Sequence, residues 1–181
     1  MKKIILLAAI AIFTFTNSFA QEEKLEGLKG AWYGLAALNY TDDEATDTSS
    51  FKILPAVGTF ISADVTIGGA IGYMSSTVGD ADSVDTFIVM PFVRKYWGAT
   101  DKFFVFAEAN VPLTFNDTAN TYGINIQPGV DYFIGGKWTI EAKFGALGYN
   151  VTDYDADIDS TNNFTIGFDM FDLNFGIKYL F

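Results

Sequence analysis

Residues 65–73 read Val-Thr-Ile-Gly-Gly-Ala-Ile-Gly-Tyr. In an extended chain this order sends Val65, Ile67, Gly69, Ile71 and Tyr73 to one side and Thr66, Gly68, Ala70 and Gly72 to the other. One face is apolar and the other small or polar, the period-two signature of a strand with different surroundings on its two faces. Residues 122–133 repeat the pattern, with Ile124, Ile126, Pro128, Val130 and Tyr132 alternating with Asn125, Gln127, Gly129 and Asp131. It returns at the end of the chain, where Leu173, Phe175, Ile177, Tyr179 and Phe181 alternate with Asp172, Asn174, Gly176, Lys178 and Leu180.

Weaker runs of the same kind at 30–40, 50–60, 84–97, 102–114 and 138–149 bring the expectation to about eight strands, with no amphipathic helix among them. The fold class expected is therefore all-β, an eight-stranded antiparallel up-and-down barrel crossing a membrane. Away from the amino terminus no stretch approaches the roughly 18 apolar residues that a spanning helix needs, so any crossing is by strands.

The connections alternate in character. Polar, acidic stretches at 41–49, 75–83, 115–121 and 150–163 take turns with short links near 60–63, 98–101 and 134–137. Membrane barrels carry long loops outside and short turns in the periplasm, so the order predicts both termini on the periplasmic side. Trp32, Trp97 and Trp138 fall at strand ends on that side, forming an aromatic girdle with Tyr132, Tyr179 and Phe181. Tyr40, Tyr73 and Tyr122 supply a second belt beside the long loops.

At the other end of the chain, Lys2 and Lys3 followed by the apolar run 4–15 and by Ser18-Phe19-Ala20 read as a secretory signal peptide, with cleavage expected after Ala20. The expected organisation is a signal peptide over 1–20, a short periplasmic segment over 21–29 and a barrel over 30–181. No peptidoglycan-binding domain is expected after Phe181. The expected site of residence is the outer membrane of a Gram-negative bacterium.

Composition narrows the function. Cysteine and histidine are absent, which removes disulfides, thiolate chemistry, Ser-His-Asp and Cys-His catalysis and the commonest transition-metal ligand. Neither an enzyme nor a cofactor is expected. The net charge of −11 becomes −13 without Lys2 and Lys3, a balance that repels nucleic acid.

The lumen is where chemistry could collect. Val89, Pro91, Val93 and Trp97 share the lipid face only if Arg94 points inward, and an Arg against lipid at mid-membrane would cost roughly 2–4 kcal/mol. A hairpin around 98–101 then sets Arg94 close to Glu108 on the next strand. Lys52, Asp64, Asp131, Glu141, Lys143, Asp172 and Lys178 also take inward positions, a mixed-sign network that fills a lumen of eight strands. The alternative is a wet path through the same charges. Asp153, Asp155, Asp157 and Asp159 resemble the start of a calcium loop, but Ile158 stands where the loop needs Gly and Phe164 where it needs Glu, so no metal site is expected. Pro91, Pro112 and Pro128 lie inside strand-like runs and predict local bulges.

The terminal run Gly176-Ile177-Lys178-Tyr179-Leu180-Phe181 resembles the signal by which outer-membrane barrels are recognised, through Gly176, Tyr179 and Phe181. This resemblance implies the barrel-assembly machinery as a partner. Met90-Pro91-Phe92-Val93-Arg94-Lys95-Tyr96-Trp97 followed by Phe104-Val105-Phe106-Ala107-Glu108 resembles a hairpin of the small outer-membrane barrel domain family with OmpA-like and OmpX-like members. Such a domain implies contact with outer-membrane lipid and lipopolysaccharide, and a monomer.

The function expected is structural or surface-interacting, through acidic extracellular loops. The alternatives are a narrow porin-like channel for ions or small solutes, an adhesin acting through 150–163, and a secreted barrel that binds a hydrophobic ligand.

Overall fold

The computed structural model describes residues 28–155, 159–167 and 173–181. Eleven strand segments follow in chain order: β1 (Trp32–Asp43), β2 (Thr48–Phe60), β3 (Val65–Val78), β4 (Val84–Gly98), β5 (Phe103–Asn110), β6 (Leu113–Phe115), β7 (Ala119–Gly135), β8 (Trp138–Phe144), β9 (Ala146–Tyr154), β10 (Thr161–Gly167) and β11 (Leu173–Leu180). β5 with β6, β8 with β9, and β10 with β11 each form one stave, so the chain makes eight antiparallel staves, every one beside its sequence neighbour. The barrel closes where β1 pairs with β11, from Tyr33 opposite Leu180 to Ala37 opposite Gly176.

Alternation along each strand divides the two faces. Tyr33, Leu35, Leu54, Phe92, Phe106 and Leu180 are buried inside, while Val57, Ile71, Ile124, Ile140 and Ile177 stand on the outside with about half their surface uncovered. A water-soluble barrel does not leave so many aliphatic side chains on its exterior. The described residues contain no helix long and apolar enough to cross a membrane. From Trp32 to Tyr40 is eight residue-to-residue steps along one strand. At roughly 3.3 Å per residue and a tilt of about 40°, that is about 20 Å along the barrel axis, close to the height of a lipid-facing band.

The strands run further than their sequence patterns suggested. Most of the stretches expected as long loops are strand: β1 and β2 are joined by residues 44–47, β3 and β4 by 79–83, and β6 and β7 by 116–118. The expected loop 150–163 is mainly β9 and β10, with Thr161 opposite Thr152 and Asn163 opposite Asn150. Polar residues that rise above the lipid lose nothing by staying in the ladder, where their backbone groups remain paired.

The bulges expected at the prolines are absent. Register is kept through Pro91, with Met90 opposite Ala70 and Phe92 opposite Gly68, and through Pro128, with Gln127 opposite Glu108 and Gly129 opposite Phe106. At Pro112 the strand is interrupted, yet β5 and β6 hold one register on β4. Pro91 accepts a hydrogen bond from the Val111 amide, and Pro112 one from the Gly123 amide, so each ring removes one donor without displacing the chain. The irregularity lies elsewhere, between Phe133 and Gly135, where Gly135 has a φ of 149°.

Candidate functional site: a charge layer in the lumen

The floor of the lumen, at the short-turn end, is aromatic. Tyr33, Phe60, Tyr96, Phe104 and Phe106 pack with Leu35, Phe92 and Leu180 into one buried cluster. Room for rings of this size comes from inward glycines on neighbouring staves. A Cβ at Gly129 would lie 2.3 Å from Phe106 Cζ, and one at Gly68 would lie 2.4 Å from Phe92 Cζ.

Six ionisable side chains lie against this cluster. Arg94, Glu108, Asp131, Glu141 and Lys178 are each no more than 1% exposed, and Lys143 is 9% exposed. Three are basic and three acidic, so the layer is neutral as a whole. Arg94 Nε donates to Glu108 Oε2 at 2.5 Å, a contact between residues directly opposite each other on β4 and β5. The rest of the guanidinium reaches across the barrel to β8, where Nη1 donates to Glu141 Oε2 at 2.7 Å and Nη2 to Oε1 at 3.2 Å. This fork geometry is the one planar guanidinium groups favour.

Asp131 and Glu141 are direct neighbours across β7 and β8, a like-charge juxtaposition that needs a cation. Lys178, on β11, supplies it: its ammonium donates to Asp131 and lies 3.9 Å from Glu141. Lys143 donates to Glu108 Oε1 at 3.2 Å. The two most buried cations also rest on rings, Arg94 at 4.8 Å from the centre of Phe92 and Lys178 at 5.2 Å from that of Tyr96. Cations set over ring faces are attracted by the ring quadrupole.

Above the charges the lumen changes character. Leu54, Ala70, Ile88 and Met90 make one apolar wall, and amides occupy the other. Gln127, Asn39, Asn174, Lys52 and Lys143 line a cavity of about 80 Å³. Asn110 Nδ2 donates to both Glu108 and Gln127, tying the two levels together.

Of the inward charges expected from the sequence, Arg94, Glu108, Asp131, Glu141, Lys143 and Lys178 therefore come together. Lys52 stands higher, at the cavity. Asp64 departs from expectation: it sits at the rim beside Lys95, with which it pairs, because the turn from β2 to β3 carries it out of the barrel. Asp172 lies outside the described residues. Tyr33, Tyr96, Asn110, Gln127 and Thr66 were not expected as parts of the network. The phenol of Tyr96 stands near both Arg94 Nη1, at 3.4 Å, and Lys178 Nζ, at 3.3 Å. Its place next to Arg94 in the inward series was the available clue.

Trp32, Trp138 and Tyr132 are exposed at the short-turn end, and Trp97 and Tyr179 are partly covered there. Gly176 is buried beneath Leu35, Tyr179 packs on Trp138, and exposed Phe181 packs on Tyr179. In the opposite belt Tyr122 donates to Asp153 at 3.1 Å. In the loop at 44–47, hydrogen bonds from Thr46 and the Ala45 amide hold the Asp43 carboxyl below its usual range.

No protein-family model matches the chain, and no curated protein matches it. Among solved structures it is similar to a de novo designed transmembrane β-barrel, at 11% identity and a TM-score of 0.49, over 84% of this chain and 97% of the designed one. It is also similar to the outer-membrane protein OmpT of Vibrio cholerae. The in-vitro folded form matches at 17% identity and a TM-score of 0.32, over 75% of this chain and 42% of that one. The form expressed in the outer membrane matches at 16% identity and 0.32, over 83% and 51%. The chain thus spans about half the length of OmpT. Likenesses this distant add nothing to what strand pairing already defines, a closed eight-stranded antiparallel barrel with an apolar exterior.

Proposed function

We infer that the chain is a non-enzymatic, integral outer-membrane barrel with a sealed lumen, serving envelope structure or surface interaction through the acidic ends of its strands. The observation that carries this reading is the neutral layer of six buried charges on an aromatic floor. Such a layer fills the lumen at one level and leaves little room for a solute. Buried charges cost desolvation energy, and they persist here because each has a partner of opposite sign.

In this reading the short turns and both termini face the periplasm, and the acidic strand ends face outward. The finer placement, among OmpA-like and OmpX-like small barrels, rests on the resemblance in the Arg94 to Glu108 hairpin. The barrel-assembly machinery would read Gly176, Tyr179 and Phe181 during insertion.

A narrow channel is the second reading. Asn110 Oδ1, Asp131 Oδ1 and Thr139 Oγ1 are buried without a protein partner, and water reaching them would make part of a wet path.

Because the chain has no cysteine, location is directly testable with single introduced thiols. Glu44→Cys is expected to react with a membrane-impermeant maleimide on intact cells, and Ala99→Cys only after the outer membrane is permeabilised. The reverse pattern would overturn the orientation, and reaction of neither on intact or outer-membrane-permeabilised cells would overturn the location.

A further inference from the structure

Charge is divided along the barrel axis more sharply than the net value reveals. Outside the lumen, the described lysines are Lys29, Lys95, Lys102 and Lys137, and all four lie at the short-turn end. Outside the lumen, the opposite end has no Lys or Arg among its described residues, and carries carboxylates from Asp42 and Glu44 through Asp80 and Asp82 to Asp155 and Asp159. Lys95 is already paired with Asp64. Lys29, Lys102 and Lys137 are exposed, and Asp101 is the other described acid at that rim.

These lysines stand at the level of the tryptophans. Lys137 directly precedes Trp138, Lys29 precedes β1 and Trp32, and Lys102 closes the turn that begins after Trp97. Indole rings settle at the boundary between acyl chains and headgroups, and a lysine next to that boundary extends its ammonium to the phosphate layer.

We propose that the short-turn rim is a docking surface for anionic phospholipid headgroups of the leaflet it faces, bound by Lys29, Lys102 and Lys137 beside the tryptophan girdle. The outer surface of the opposite end offers phosphate no Lys or Arg among its described residues, so the selectivity belongs to one leaflet only. This rests on the membrane-barrel reading above and adds the lipid class that the rim selects.

All three tryptophans of the chain lie in this girdle, which makes their fluorescence a local probe. The mature protein is folded into phosphatidylcholine vesicles carrying either brominated phosphatidylglycerol or brominated phosphatidylcholine at the same mole fraction. Quenching by the anionic lipid should report roughly two- to five-fold stronger association, an excess that falls with salt and vanishes in the Lys29→Gln, Lys102→Gln, Lys137→Gln triple variant. Heat-modifiable gel mobility confirms that the variant is folded. Equal quenching by the two lipids, or an excess that survives the triple substitution, would overturn the docking surface while leaving the barrel intact. Failure of the wild-type chain to insert at all would overturn the membrane reading, and this one with it.

Discussion

The two halves of the lumen stand on the same eight staves and are filled in different ways. The short-turn half holds aromatic rings and six buried charges, each neutralised by a partner. The half beneath the acidic strand ends holds amides, an apolar wall and a cavity of about 80 Å³. Buried charge is therefore concentrated in one layer. The pairs there are strongly interdependent, because deleting any member leaves an opposite charge buried, whereas an amide lost from the upper half leaves a group that water can reach.

The difference is sharpest at Arg94. Replacement by Met would leave Glu108 and Glu141 without their main partner and should cost about 3–5 kcal/mol, read as a lowered urea midpoint of the detergent-folded protein. A midpoint close to wild type would show that the layer is hydrated and its charges independent.

Outside against inside comes next. Val130→Arg places a charge on the lipid face and should destabilise by about 2–4 kcal/mol in vesicles, while Asn125→Arg, on the lumen face of the same strand, should be tolerated better. Equal damage from both would mean that the two faces are misassigned.

Packing of the rings against the charges is tested by Gly129→Val, which drives a branched side chain into Phe106 and should cost about 1–3 kcal/mol. Adding Phe106→Ala should not be additive with it, since the cavity made by one change accommodates the other. The smallest effect belongs to the upper half, where Asn174→Ala, at the cavity, should shift the midpoint by no more than about 1 kcal/mol.

How much of this the sequence disclosed depends on the range of the contact. Alternation at 65–73 and 122–133 is a property of consecutive residues, so the faces were legible. The pairing of Arg94 with Glu108 needed only the register of one hairpin. The reach from Arg94 to Glu141 crosses the lumen and depends on how the barrel closes, which no local pattern encodes. Asp64 was misplaced because alternation ends where the turn begins. The prolines misled for a related reason: Pro91 lacks a donor, but its carbonyl still accepts from Val111, and the ladder holds on either side. The acidic stretches read as loops because alternation stops where both faces turn polar, although above the lipid a strand can be polar on both faces.

The most direct test of the sealed lumen is current recording on the wild-type protein folded into planar bilayers. The six-charge layer predicts a silent membrane at applied voltages, with insertion verified independently by heat-modifiable mobility of the recovered protein. Stable unitary conductance steps from the wild-type barrel would contradict it and establish the narrow channel in its place.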